Sequence, residues 1–475
     1  MSQPPPIPPR PNVMFFFTDD QRFDTIHALG NERIHTPNLD ALAASGTTFT
    51  HAHIMGGSCG AVCMPSRAML MTGRTLFHIE REGQNIPEEH VMLPEVFRRA
   101  GYATFGTGKW HNGTSAYARA FSDGAEIFFG GMDDHWNVPS CDFDPSGKYP
   151  EPKDRSRNLD IQYDENNKPF RRIHTAPQVF DHVREGRHST DLFADSTIDF
   201  LNRVDANRPF FAYVSFMAPH DPRLTHRRFH DAYPPDSIEL PRNFLPEHPF
   251  DNGEMDIRDE KLGPRPRTPD NTKKQIGEYY AMIAHVDEQI GRVMDALRAT
   301  GRRENTIVVF AGDNGLAVGR HGLMGKQNLY EHSVRVPLIF SGPGIPAGQR
   351  RRAFCYLLDI FPTLCELTGM PIPDTVEGHS LSNAILHPAA TVRDSLLYAY
   401  RDLQRGARIG DHKLIEYAVD GKRTTQLFDL AKDPFEMKNL AEDAAHAESL
   451  TRLRNELRRW REELDDPCET FWDGF

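Results

Sequence analysis

Cysteine is sparse in this chain and arranged in no pattern that would staple a fold. Six residues (Cys59, Cys63, Cys141, Cys355, Cys365 and Cys468) are spread over 475 positions, without the dense pairing of a small disulfide framework. Cys59 and Cys63 are the one close pair, but their spacing is not C-x-x-C and no second pair completes a zinc site. Long hydrophobic runs are missing as well. No apolar stretch approaches the roughly 18 residues of a bilayer span, so no membrane partner is expected. The run Val13-Met14-Phe15-Phe16-Phe17 is too short for a secretory core and leads straight into Asp19-Asp20. It reads as a buried strand, and the expected location is cytoplasmic. Positive charge is in deficit: 55 Lys and Arg face 67 Asp and Glu, a formal net charge of −12. That balance opposes non-specific binding to nucleic acid, and no nucleic-acid partner is expected. With 39% hydrophobic and 26% charged residues, the chain is neither disordered nor collagen-like. A chain of this length buries about three quarters of its unfolded surface, enough for a large core without staples.

What is present is an alternation of short apolar strands and helical patterns. Strands are predicted at residues 12–18, 102–105, 209–216, 306–311 and 337–340. Helices are predicted at residues 38–45, 93–100, 190–204, 273–300 and 359–368. The fold class is therefore α/β, a mostly parallel sheet flanked by helices. From about residue 390 short strands follow one another, and residues 447–464 form a Leu-spaced terminal helix. This implies a smaller C-terminal antiparallel sheet plus helix. The expected organisation is an arm at residues 1–11, a main domain at 12–385 and a subdomain at 386–475. Residues 140–185 and 222–272 are polar, Pro-rich stretches that read as loops.

Chemistry-bearing residues cluster just after strands, where α/β folds gather their functional groups. Asp19-Asp20 and Asp313-Asn314-Gly315 each have a local explanation, as a helix cap or a turn. Together they offer four oxygen ligands, the donor set of a hard divalent cation. Cys63 begins the string Cys63-Met64-Pro65-Ser66-Arg67-Ala68-Met69-Leu70-Met71-Thr72-Gly73-Arg74, with Pro65 near a helix start. Helix N-terminus and Arg67 would depress its pKa; the alternative is a buried structural cysteine. Lys109 and His111 lie in Gly108-Lys109-Trp110-His111-Asn112-Gly113, and His220 stands in Ala218-Pro219-His220-Asp221-Pro222. A C-x5-R phosphatase loop is excluded, because Met69 stands where Arg is needed.

The string C-x-P-S-R followed by L-x-T-G-R resembles the signature of type I sulfatases, in the alkaline phosphatase superfamily. Gly108 to Gly113 resembles the family's G-K-W-H-L-G, with Asn112 in place of Leu, and Pro219-His220 its P-H-x-P element. Gly325-Lys326-x-x-x-Tyr330-Glu331 and the terminal Leu427-Phe428-Asp429-Leu430 are similar to further family segments. The resemblance implies that Cys63 is oxidised to formylglycine by a maturation enzyme and that its hydrate is the nucleophile. It assigns a Ca2+ ion (Mg2+ is the alternative) to Asp19, Asp20, Asp313, Asn314 and modified Cys63. Lys109 would orient the diol, His111 would take its second proton, His220 would serve the leaving oxygen and Lys326 would bind sulfate. Arg67 is grouped with Lys109 and Lys326 as a cation for the transition state. The implied function is hydrolysis of a sulfate ester, of a small sulfated saccharide or an aryl or alkyl sulfate. A phosphonate or phosphate monoester hydrolase on the same framework is the alternative, and a non-catalytic sulfated-glycan binder is a second. Arginine clusters at Arg155/Arg157, Arg171/Arg172, Arg223/Arg227/Arg228 and Arg350/Arg351/Arg352 either meet further anionic groups or form solvated faces. His135 and Trp136 form a possible sugar platform, or part of the core.

Overall fold

The computed structural model describes residues 10–155, 157–174 and 177–475, so most of the expected arm lies outside the described residues. The strand Asn12–Thr18 is fully buried and occupies the middle of an eight-stranded sheet. Its side chains alternate between two cores: Val13, Phe15 and Phe17 enter one, Met14 and Phe16 the other. A strand buried on both faces reads as a continuous apolar run, which is what this segment is. It pairs in parallel with Phe210–Ser215 on one side and Thr306–Gly312 on the other. Ala103–Lys109 and Asp123–Phe128 continue the parallel sheet beyond Phe210–Ser215. Leu338–Ser341 is the exception, antiparallel to both Thr306–Gly312 and Gly46–Phe49. An apolar tetrapeptide carries no directional signal, so its orientation was not legible in sequence.

Helices cover both faces. Ser189–Arg203, Pro269–Ala299 and Pro37–Ala44 supply apolar side chains to one core. Cys63–Thr72, Leu93–Arg99 and Ile360–Thr368 supply them to the other. The 31-residue helix starts at Pro269, ahead of the expected 273, because Pro sits in its first turn and Thr268 accepts from the Asn271 N–H. The Ala103–Lys109 strand outruns its prediction for the opposite reason. Gly106 and Gly108 look like breakers, but Gly108 has φ +82° and a Cβ there would lie 1.9 Å from the Ser215 carbonyl oxygen.

The C-terminal strands Ser395–Tyr400, Gln404–Ile409, His412–Val419 and Lys422–Asp429 form an antiparallel meander. The helix Ala447–Glu463 buries Leu453 and Leu457 in the same core as the Cys63–Thr72 helix. Gly56–Gly57, just ahead of Cys63, joins this sheet as a fifth strand parallel to Ser395–Tyr400. At Gly56 a Cβ would fall 2.0 Å from the Ala399 carbonyl oxygen, so only glycine permits the pairing. The smaller sheet thus holds the segment leading into the Cys63 helix. Part of the polar stretch expected as loop is an antiparallel hairpin, Arg157–Tyr163 with Pro169–His174. Among the described residues, no helix is long and apolar enough to cross a membrane.

Candidate active site

Cys63 is the first residue of a wholly buried helix. Its Sγ, standing where the oxygens of a modified residue would sit, lies 3.5 Å from Lys109 Nζ and 3.4 Å from His111 Nδ1. Burial pushes the thiol pKa up despite Lys109 and Lys326. Of the two readings of the thiol, this favours the buried cysteine over one activated by its helix terminus, because desolvation outweighs the nearby cations.

Four oxygen-bearing side chains meet beyond the carboxyl ends of two adjacent strands. Asp19 Oδ2 accepts from Lys109 Nζ. Asp20 Oδ1 accepts from Lys326 Nζ at 2.6 Å and from Asn314 Nδ2 at 2.7 Å. Asp313 Oδ1 accepts from the Asp20 N–H at 2.9 Å, and its Oδ2 from Arg67 Nε at 2.9 Å. Asp19 Oδ1, Asp20 Oδ2 and Asn314 Oδ1 are buried with no hydrogen-bond donor. Unpartnered buried oxygens are costly unless a cation meets them. Ligand atoms of Asp19, Cys63 and Asp313 lie within 4.8 Å of one another, as do those of Asp19, Asp20 and His220. The residues present fit a hard divalent cation held by carboxylate and amide oxygens.

The electrostatics follow from this crowding. Burial would raise Asp19, but Lys109, His220, Arg67 and Lys326 hold it well below the usual carboxylate range. Asp313 is pushed up to about 7 by burial and by the neighbouring Asp19 charge, against Arg67. Burial and the Lys109 charge hold His111 well below the ordinary imidazole value, so the ring is neutral at neutral pH. Burial would lower Lys326, yet Asp20 and its neighbours keep it well above the usual lysine value.

Arg67 departs from its expected role. Its Nη1 donates to the Lys109 carbonyl at 3.0 Å and to Ser215 Oγ at 2.6 Å, and its plane lies 5.0 Å from the Phe17 ring centre. Nε and Nη2 both lie 2.9 Å from Asp313 Oδ2, so the guanidinium is directed chiefly at fixing that carboxylate. It is a positioning residue beneath the site. His220 Nδ1 donates to the Asp221 carbonyl at 2.7 Å, and Nε2 lies 3.7 Å from Asp20 Oδ2. Asn112 answers for the missing leucine: its Nδ2 donates to the Met64 and Gly83 carbonyls at 3.1 and 2.6 Å. It ties the Lys109–His111 loop to the Cys63 helix.

Sequence reasoning missed three supports. Ser66 Oγ donates to the Asp313 carbonyl at 2.6 Å, and its only signal was membership of the Cys63 string. Gln327 Nε2 donates to the Gly60 carbonyl and to Asp259 Oδ2 at 2.8 and 2.7 Å, linking the Lys326 loop to the approach to Cys63. Glu260 accepts from the Met324 and Gly325 N–H groups, at 3.0 and 2.8 Å, and so steadies the same loop. Nothing local to Glu260 marks it.

Of the two readings of His135 and Trp136, a sugar platform or part of the core, the packed one holds. His135 is fully buried, bonded to Ser189 Oγ at 2.8 Å and to the His220 carbonyl at 3.1 Å. Trp136 packs edge-on against His188 and His226. Among the arginine clusters, Arg228 pairs with Glu288 at 2.5 Å, and Arg351 donates to the Ala384 and Ile385 carbonyls at 2.7 and 2.8 Å. The side chains of Arg157 and Arg172 lie outside the described residues.

Known proteins share this framework. A structure solved in complex with its substrate D-glucosamine-2-N,6-O-disulfate superposes with a TM-score of 0.75, at 24% identity over 96% of this chain and 99% of the other. The phosphonate monoester hydrolase of Agrobacterium radiobacter superposes with a TM-score of 0.73, at 23% identity, covering 96% of each chain. At these identities the likeness establishes the fold alone. An arylsulfatase of Clostridium perfringens is 31% identical over 98% of this chain and 96% of its own length. An N-acetylglucosamine-6-O-sulfatase of Bacteroides thetaiotaomicron is 25% identical over 96% of this chain and 87% of its own. The C-terminal model of N-sulphoglucosamine sulphohydrolase matches residues 319–463. The sulfatase model matches residues 11–370, and the chain belongs to the sulfatase family of the alkaline phosphatase superfamily, hydrolases of sulfate esters.

Proposed function

We propose that this sulfatase acts on a small sulfated saccharide, with formylglycine at position 63 and Ca2+ held by Asp19, Asp20, Asp313, Asn314 and modified Cys63. The observation that carries the reading is the meeting, around one atom of residue 63, of Lys109 at 3.5 Å and His111 at 3.4 Å beside buried oxygens without donors. Four protein side chains offering oxygen favour Ca2+ over Mg2+, which retains more of its water. The bound cation would act as a Lewis acid and a template for a sulfate oxygen. The hydrated aldehyde supplies the oxygen nucleophile.

This chain's own residues do the rest. Lys109, paired with Asp19, favours negative charge on the oxygen at position 63. Neutral His111 presents Nδ1 to the same place and accepts the proton shed when the aldehyde is restored. The Nδ1–H bond of His220 to the Asp221 carbonyl fixes that ring and turns Nε2 towards the site, where the imidazolium form would give its Nε2 proton to the departing oxygen. Lys326 donates one N–H to Asp20 and keeps two more to bind sulfate oxygens. Arg67 and Ser66 hold Asp313. Cys63 is 2% exposed, so the maturation enzyme meets it before the chain closes. The five cysteines other than Cys63 form no disulfide, in keeping with a reducing, cytoplasmic setting for the reaction.

Relatives named for 6-O-sulfated N-acetylglucosamine and for ulvan support a saccharide as the alcohol; a choline-sulfatase relative sets the contrast. The test is release of free sulfate across sulfated sugars, choline sulfate, aryl sulfates and aryl phosphates. A sulfated sugar should show the highest kcat/KM. Preference for choline sulfate or an aryl phosphate would overturn the assignment.

A further inference from the structure

Three positions beyond His220, Arg223 is 8% exposed. Its Nη1 donates to Gln275 Oε1, while Nε and Nη2 have no partner. Among the described residues no carboxylate forms an ion pair with it. A buried guanidinium with unpaired N–H groups is costly unless a counter-charge arrives.

Arg223 lines a cavity of about 220 Å³ whose wall includes Asp221 and Pro222, from the loop that carries His220. Two exposed cations, Arg171 and Lys274, lie on the same wall. The opposing charges are already engaged. Asp221 is held by Arg258 on both oxygens. Glu278 lies 3.9 Å from Lys274; burial raises its carboxyl pKa against the charges of Arg223 and Lys274, so this one carboxylate is shared between two cations. Positive charge is left over. Ile161 and Leu224, 47% and 39% exposed, add an apolar surface suited to the face of a sugar ring.

We infer that this cavity is a second subsite, which binds a further anionic group of the substrate, sulfate or carboxylate, while the scissile sulfate lies at residue 63. The inference rests on the saccharide-sulfatase reading above and narrows it to saccharides with at least two anionic groups. Arg223 is the buried anchor, and Arg171 and Lys274 draw the anion in.

The test uses matured enzyme on nitrophenyl sulfate, on a monosulfated saccharide without other charge, and on that saccharide with either a second sulfate or a carboxylate added. A charge-assisted contact of this kind raises kcat/KM by about ten- to a hundredfold over the singly charged sugar, mainly through KM. The gain shrinks with added salt, and the arm that gains identifies the anion. Arg223→Gln removes most of the preference, measured as the ratio of kcat/KM on the doubly and singly charged sugars. Because Arg223 is buried and its loss could disturb folding, Lys274→Glu, at an exposed position, is the second variant. It lowers the same ratio about two- to fivefold. Equal kcat/KM on both sugars in the unmutated enzyme, or a ratio untouched by both variants, overturns the inference while nitrophenyl sulfate turnover leaves the sulfatase reading standing. No sulfate release from any sugar, with nitrophenyl sulfate turned over, overturns the saccharide reading and the inference with it.

Discussion

The sulfate end of the site and its rim are built by different means. Asp19, Asp313 and Asn314 are wholly buried beyond the ends of two neighbouring parallel strands, where paired carboxylate oxygens stand beside oxygens that have no donor. At the rim, Ile161 and Phe170 on the hairpin are 47% and 43% exposed, and the segment 222–272 is largely irregular. Buried groups with fixed partners tolerate no change in charge, so the sulfate end serves one chemistry. The rim is free to vary, so the identity of the alcohol is decided there.

That contrast can be broken at several depths. Lys109→Ala strikes the sulfate end hardest, because it leaves Asp19 buried without its main partner. Turnover of every ester should fall by about 10³-fold or more, with a stability loss of about 3–5 kcal/mol. Steady-state rates and urea denaturation check both, and an active, fully stable variant would contradict the pairing. Removal of the bound cation, or Asp313→Ala, should abolish sulfate release but leave far-ultraviolet circular dichroism nearly unchanged. The ligands sit beyond the strand ends and outside the two apolar cores.

His220→Ala lies between the two regions and should separate substrates. General acid catalysis is worth about 10²–10⁴-fold, and most of that should appear on a sugar sulfate, whose alkoxide leaves badly. A nitrophenolate leaves unaided, so its ester should lose far less. Equal losses on both esters would mean that His220 only positions sulfate. His111→Ala should slow both esters alike, because its proton transfer follows departure of the alcohol.

Acid should weaken the fold before it stops the chemistry at His111. Burial holds His53 and His135 at about 4, against about 6.5 in the unfolded chain. Both are neutral when folded, so the unfolded state binds more protons once the pH drops below about 6.5. Their contribution is whole above that pH and is lost progressively towards pH 4, on the order of 3 kcal/mol each at the limit. Thermal melts from pH 7 to 4 should show a falling Tm, and His135→Asn should flatten that fall. The smallest effect is expected at Asn112→Leu. It strands the Met64 and Gly83 carbonyls, at a cost of about 1–3 kcal/mol.

Much of the sulfate end was legible because its parts are short strings at strand ends, where residue type alone implies oxygen ligation or proton transfer. The first strand could be read to its last residue, since Asn12–Thr18 is buried on both faces and carries no polar interruption. Arg67 was misjudged because a guanidinium near a nucleophile looks the same in sequence whether it faces substrate or a second carboxylate. The direction of the Cys63 thiol pKa was left open because helix position is local, whereas the burial that raises it is a property of the whole fold. Gly56–Gly57 and Glu260 were invisible for a related reason. Their partners, Ala399 and the Met324–Gly325 backbone, are remote in sequence.

The central claim is that residue 63 works as an aldehyde hydrate at a cation site and not as a thiol. It is tested most directly by peptide mass spectrometry of active enzyme, produced with the maturation enzyme and reacted with an aldehyde-specific hydrazide. The tryptic peptide containing position 63 should carry the hydrazone in proportion to specific activity, and Cys63→Ala should carry none and release no sulfate. Fully active protein whose residue 63 is entirely unmodified thiol would contradict the account.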